Sequence, residues 1–201
     1  MRKAWIIILI VLLTGIPVLL SAQVNNPETE TDWDDYHYEL YSPGDQSFII
    51  SLGVVFPIAF LGKGGDISKI DPPIGGTGSL NLNYYITSSV FIGAEIAGMF
   101  LPVINGETLF IIPLGIKFGT QFILDRFEFP ISGAIGVSWR NFQDEGYFGL
   151  YMKAGGSVFF RTTTYWAFGL SSNLYWFPEF RADNNIHGLF LDLTLGARYH
   201  F

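Results

Sequence analysis

The chain has 201 residues, of which 49% are hydrophobic, 17% aromatic and only 14% charged, against roughly 25% charged in a typical soluble domain. It contains no cysteine, which excludes a disulfide scaffold, a Cys-ligated zinc site and a lipidated amino-terminal cysteine. The formal net charge of −7 leaves no basic surface to neutralise phosphates, so nucleic acid is excluded as a partner.

At the amino-terminus, Arg2 and Lys3 precede an apolar run over 4–13 that continues through Gly15 and Pro17 to Leu20, Ser21, Ala22 and Gln23. This pattern predicts a secretory signal peptide over residues 1–22. Gly15, Pro17 and the small Ala22 favour cleavage over a retained anchor, and losing Arg2 and Lys3 takes the charge from −7 to −9. Residues 23–46 carry Glu28, Glu30, Asp32, Asp34, Asp35 and Glu39 and are expected to form an acidic periplasmic tail. Asp34, Asp35 and His37 lack the spacing of a defined metal site, so no metal and no cofactor is expected. Trp33, Tyr36, Tyr38 and Tyr41 are too many rings for a plainly solvated tail and are expected to rest against the end of the following domain or a membrane surface.

From residue 47 onward, strand-like runs alternate with turn signals. The expected strands are 47–61, 77–86, 90–101, 109–122, 127–140, 147–160, 165–177 and 189–201, with a Gly/Pro-rich loop over 62–76. Pro57 and Pro113 fall inside two of them, where each removes a ladder donor, so a bulge or strand end is expected nearby.

Alternation has a consistent phase. If Glu95, Lys117, Arg140, Lys153 and Asp192 point inward, each strand leaves an apolar outer face, such as Ile112, Leu114, Ile116 and Phe118 around Lys117. Eight glycines, among them Gly53, Gly93, Gly136 and Gly196, share the inward phase. An eight-stranded barrel has an interior just wide enough to be filled by side chains, and small residues there make room for long charged ones. Outward aromatics recur at strand ends: Phe129 and Trp139 are ten residues apart, as are Trp166 and Trp176. That spacing matches the roughly 9–11 residues a tilted strand needs to cross a bilayer, which reads as two aromatic girdles. The fold expected is therefore an all-β, eight-stranded antiparallel up-and-down transmembrane β-barrel over 47–201.

The last strand gives the most specific signal. Leu189, Leu191, Leu193, Leu195, Ala197, Tyr199 and Phe201 form one face; Asp192, Thr194, Gly196, Arg198 and His200 form the other. With Thr194, Gly196, Tyr199 and Phe201 at the chain end, the sequence resembles the small eight-stranded outer-membrane proteins of diderm bacteria, the OmpX, OmpA-barrel and OmpW group. The resemblance implies an outer-membrane location with the tail and carboxy-terminus in the periplasm. It also implies that Thr194, Gly196, Tyr199 and Phe201 are read by the barrel-assembly machinery, with periplasmic chaperones as transient partners and lipid as the permanent one.

For function, Glu95, Lys117, Arg140, Lys153, Asp192 and Arg198 are expected to plug the lumen with salt bridges, Glu95 and Lys117 standing at similar height on adjacent strands. This implies a structural or narrow transport role and no catalysis. The alternatives are three. The first is a conduit for small hydrophobic molecules, as the OmpW resemblance implies, lined by Phe91, Met99, Ile111, Tyr147, Tyr151 and Tyr165. The second is a surface adhesin using 71–76. The third is a lipid-modifying enzyme in which His187 meets Asp183, or Ser68 and Asp66 across the mouth.

Overall fold

The computed structural model describes residues 41–61, 67–68, 74–102, 108–142, 145–178 and 187–201, all within the compact unit Tyr38–Phe201. Nine strands appear there: β1 (Gln46–Leu61), β2 (Ile67–Ser68), β3 (Gly75–Tyr85), β4 (Val90–Pro102), β5 (Thr108–Leu124), β6 (Phe127–Phe142), β7 (Glu145–Arg161), β8 (Trp166–Pro178) and β9 (His187–His200). β2 is a two-residue extension paired with the end of β1; the other eight run β1-β3-β4-β5-β6-β7-β8-β9 and close through β1–β9. All pairings are antiparallel. At the seam, Gln46 and Phe201 exchange both backbone hydrogen bonds, 2.9 Å and 3.0 Å. Each of the eight expected strands is present, with bounds within two residues of those read from the alternation.

The wall is apolar outside and polar inside, the reverse of a water-soluble core. Leu52 is 67% exposed, Phe148 75% and Leu195 69%, whereas Glu128 is 0% and Arg198 1% exposed. Only a solvent of hydrocarbon makes such a surface favourable, because contiguous exposed apolar area on this scale drives association in water.

Three hairpin turns share the end where β1 starts and β9 finishes, here called the terminal end. The turns after β3 and β7 use the same device. Thr87 Oγ1 accepts from the backbone of Ser89 and Val90, and Thr163 Oγ1 from that of Tyr165 and Trp166. Between β5 and β6 only Asp125 and Arg126 intervene, with Asp125 at φ 53°, a conformation that Asp tolerates better than most residues. The opposite, loop end carries the longest connections, between β1 and β3 and between β8 and β9.

Prolines mark the irregularities. The β1–β9 register slips between Pro57 and Ala59. The β4–β5 ladder skips from Ile96↔Leu114 to Met99↔Ile111, leaving Pro113 unpaired on that side. The β6–β7 ladder likewise skips Pro130, between Glu128↔Phe159 and Ile131↔Gly156. At Pro113 and Pro130 the missing N–H coincides with the gap, whereas Pro57 keeps its partner Phe190 and the slip falls just after it.

Candidate functional site

Inward side chains fill the lumen in three layers. At the terminal end, Glu128 at the start of β6 binds two guanidinium groups. Its Oε1 accepts from Arg161 Nε at 2.7 Å and Nη2 at 2.6 Å, and its Oε2 from Arg198 Nη1 at 2.6 Å. Tyr41, from the segment before β1, is 5% exposed and donates its hydroxyl to Glu128 Oε2 at 2.8 Å. Burial raises the Tyr41 phenol far above its usual range, so the hydroxyl keeps the proton it donates. The same oxygen lies 3.0 Å from His200 Nε2. Arg198 also rests on the Phe159 ring, 4.2 Å to the centroid, a favourable cation–π contact.

In the middle layer, Glu95 of β4 forms an ion pair across the lumen with Lys153 of β7. Tyr151 donates to the other Glu95 oxygen at 3.0 Å. Asp192 accepts from the backbone and side-chain nitrogens of Asn173, its direct cross-strand neighbour, at 2.9 Å and 2.8 Å. Lys117 approaches Asn81 Oδ1 at 3.4 Å and lies over the Phe91 ring.

Towards the loop end the filling turns apolar. Tyr175, Phe177 and Phe190 pack with Met99 and Ile111, Phe177 and Phe190 edge to face at 5.4 Å. Arg140 crosses this layer, donating to the Pro178 carbonyl at 2.9 Å with its guanidinium 5.1 Å from the Tyr147 ring centroid and 5.5 Å from that of Phe177.

Glu95 and Lys117 are diagonal rather than directly opposed cross-strand neighbours. The β4–β5 register sets Gly115 opposite Glu95 and Gly93 opposite Lys117, and Lys153 takes the Glu95 carboxylate instead. Tyr165 is also not a lining residue: it is 58% exposed and stacks on Tyr199, because it lies in the turn before β8. Phe91 belongs to the terminal layer beside Tyr85, while Met99, Ile111 and Tyr151 lie further up. Phe129, Trp139, Trp166 and Trp176 stand on the outward phase of β6 and β8, and Thr194 and Gly196 face inward with Tyr199 and Phe201 outward. His187 lies against Trp176. Trp33, Tyr36, Tyr38, His37, Asp66, Asp183, the 71–73 part of the first loop and the signal segment lie outside the described residues.

Alternation puts His200 on the inward face, and the ring content of the tail puts Tyr41 against the end of the barrel, but neither reading joins them to Glu128 and Arg161. Glu128 was discoverable, since it shares the even-numbered inward phase of Arg140 twelve residues on. Arg161 looked like a turn residue, and Tyr41 lies outside any strand.

A protein-family model matches residues 25–199. The chain belongs to the family that model defines. No curated protein matches it in sequence. Among solved structures, it is similar to Neisserial surface protein A, with TM-score 0.63 and 8% identity over 79% of this chain and 99% of that one. It is also similar to the outer membrane protein OprG from Pseudomonas aeruginosa, with TM-score 0.50 and 11% identity over 80% and 97%. At such identities the likeness is one of fold, and the fold is that of the small eight-stranded outer-membrane barrels.

Proposed function

We propose that the protein is an integral outer-membrane barrel with a structural role, its lumen closed by its own side chains and carrying neither ion flow nor catalysis. The observation that carries this reading is the spending of lumen charges on one another at two heights, Arg161–Glu128–Arg198 and Glu95–Lys153. A conducting path must be open to water along its length, whereas Glu95, Lys153 and Arg198, inside the lumen, are all less than a tenth exposed. A buried ion pair costs several kcal/mol to break, which disfavours rearrangement into a pore. Lipid is the lasting partner. The barrel-assembly machinery would read Thr194, Gly196, Tyr199 and Phe201, and the Phe129, Trp139, Trp166 and Trp176 rings would lie at the two interfaces. The short turns and the tail would face the periplasm.

Planar-bilayer recording tests the reading. Wild type and Lys117→Ala are both expected to stay silent, because Lys117 takes no part in either ion pair. Discrete conductance steps from wild type would replace the structural role with a narrow transport role.

A further inference from the structure

Among the described residues, Tyr41 is the one member of the terminal layer that no barrel strand supplies. Its surroundings come from across the wall: Tyr85 from β3, Glu128 from β6, Arg161 from β7, and His200 from β9. The Tyr85 ring lies parallel to it at 4.1 Å and 19°. His200 meets it edge-on at 5.0 Å, and the Arg161 guanidinium lies 5.1 Å from its centroid. Its hydroxyl has a carboxylate acceptor at 2.8 Å and an imidazole nitrogen at 3.0 Å. Two of these groups have partners besides Tyr41. Glu128 is already held by Arg161 and Arg198, and Tyr85 donates its own hydroxyl to Gln121 at 3.1 Å.

The residues that follow deliver the ring. Ser42 N donates to Asp45 Oδ2 at 2.7 Å and Asp45 N to the Ser42 carbonyl at 3.1 Å. Gly44, at φ 106°, donates to the Tyr85 carbonyl at 2.9 Å. Non-glycine residues rarely adopt that backbone conformation.

We propose that the terminal mouth of the barrel is a recognition site for a para-substituted phenol, and that the chain fills it with its own Tyr41. The stacked ring supplies shape, and the Glu128–His200 pair selects for a hydroxyl. Residues 41–45 then act as a strap that seats the entering chain on the lumen axis rather than at the rim.

Ligand rescue in the mature, refolded protein tests this. Tyr41→Gly removes the ring, and its thermal unfolding midpoint at a fixed scan rate is expected to fall by roughly 5–10 °C. Millimolar p-cresol should raise the midpoint of Tyr41→Gly but not of wild type, since a ligand stabilises only the folded state that has room for it. Toluene, lacking the hydroxyl, should do much less. Equal p-cresol shifts in variant and wild type, or toluene matching p-cresol, would overturn the proposal. If Tyr41→Gly does not fold, Tyr41→Phe decides: a lowered midpoint supports hydroxyl recognition, and a wild-type midpoint refutes it.

Discussion

Two guanidinium groups and one carboxylate meet inside the terminal end, and the others depend on the carboxylate. Glu128→Gln keeps the shape of the side chain but strips the anion from both Arg161 and Arg198. Breaking a buried pair by removing one partner costs about 3–5 kcal/mol, so the urea midpoint of the refolded barrel should drop well below that of wild type. Glu95 and Lys153 are the counterpart one layer up. A double-mutant cycle with Glu95→Gln and Lys153→Met should return a coupling of about 1–3 kcal/mol; additive effects would mean that the ion pair contributes nothing beyond its separate atoms. At this scale the sequence told which way side chains point and not whom they meet. The inward phase of Glu95 follows from its neighbours Ile92, Ala94 and Ile96. Its partner Lys153 lies three strands away around the wall, and only the closed circumference brings the two together.

Strands were legible because each is bounded by turn chemistry and carries two unlike faces. Register was not, because it is set by closure rather than by any one hairpin. Gly53 illustrates this: a Cβ there would meet Thr194 Cα at 2.7 Å in the adjoining β9. Gly98, on the outward phase of β4, has open space around the same position. Gly53→Ala should therefore destabilise the barrel by about 1–3 kcal/mol through overpacking, while Gly98→Ala should stay within about 0.5 kcal/mol of wild type. Heat-modifiable gel migration over a denaturant series would measure both. The prolines were legible as disruptions, and the slip beside Pro57 and the skipped pairs at Pro113 give that disruption its form.

Across the molecule, the apolar belt and the charged interior exchange the usual places of core and surface. A charge on the belt should therefore act like a charge in a soluble core. Leu114, 53% exposed in mid-β5, is a suitable position: Leu114→Lys should cost about 2–4 kcal/mol near the bilayer midplane, read as a lowered urea midpoint in lipid vesicles. Retained wild-type stability in vesicles would argue that this face does not meet hydrocarbon. The composition foretold the exchange, since few charges and many rings suit no aqueous globule. The rings of the tail place Tyr41 against the end of the barrel, but its entry into the lumen is not legible, because Tyr41 has no periodic neighbours to mark its direction.

The seam between β1 and β9 carries a consequence for synthesis. The first strand made is also the one that must wait longest for its second neighbour, since the β9 ladder from Ser47↔His200 to Leu61↔His187 spans nearly the whole described chain. Any chain halted before β9 would keep two unpaired edges, one on β1 and one on the last strand made, each open to pairing with a stranger. A closed wall thus depends on β9: the last of the barrel strands is the one that hides the free edge of the first.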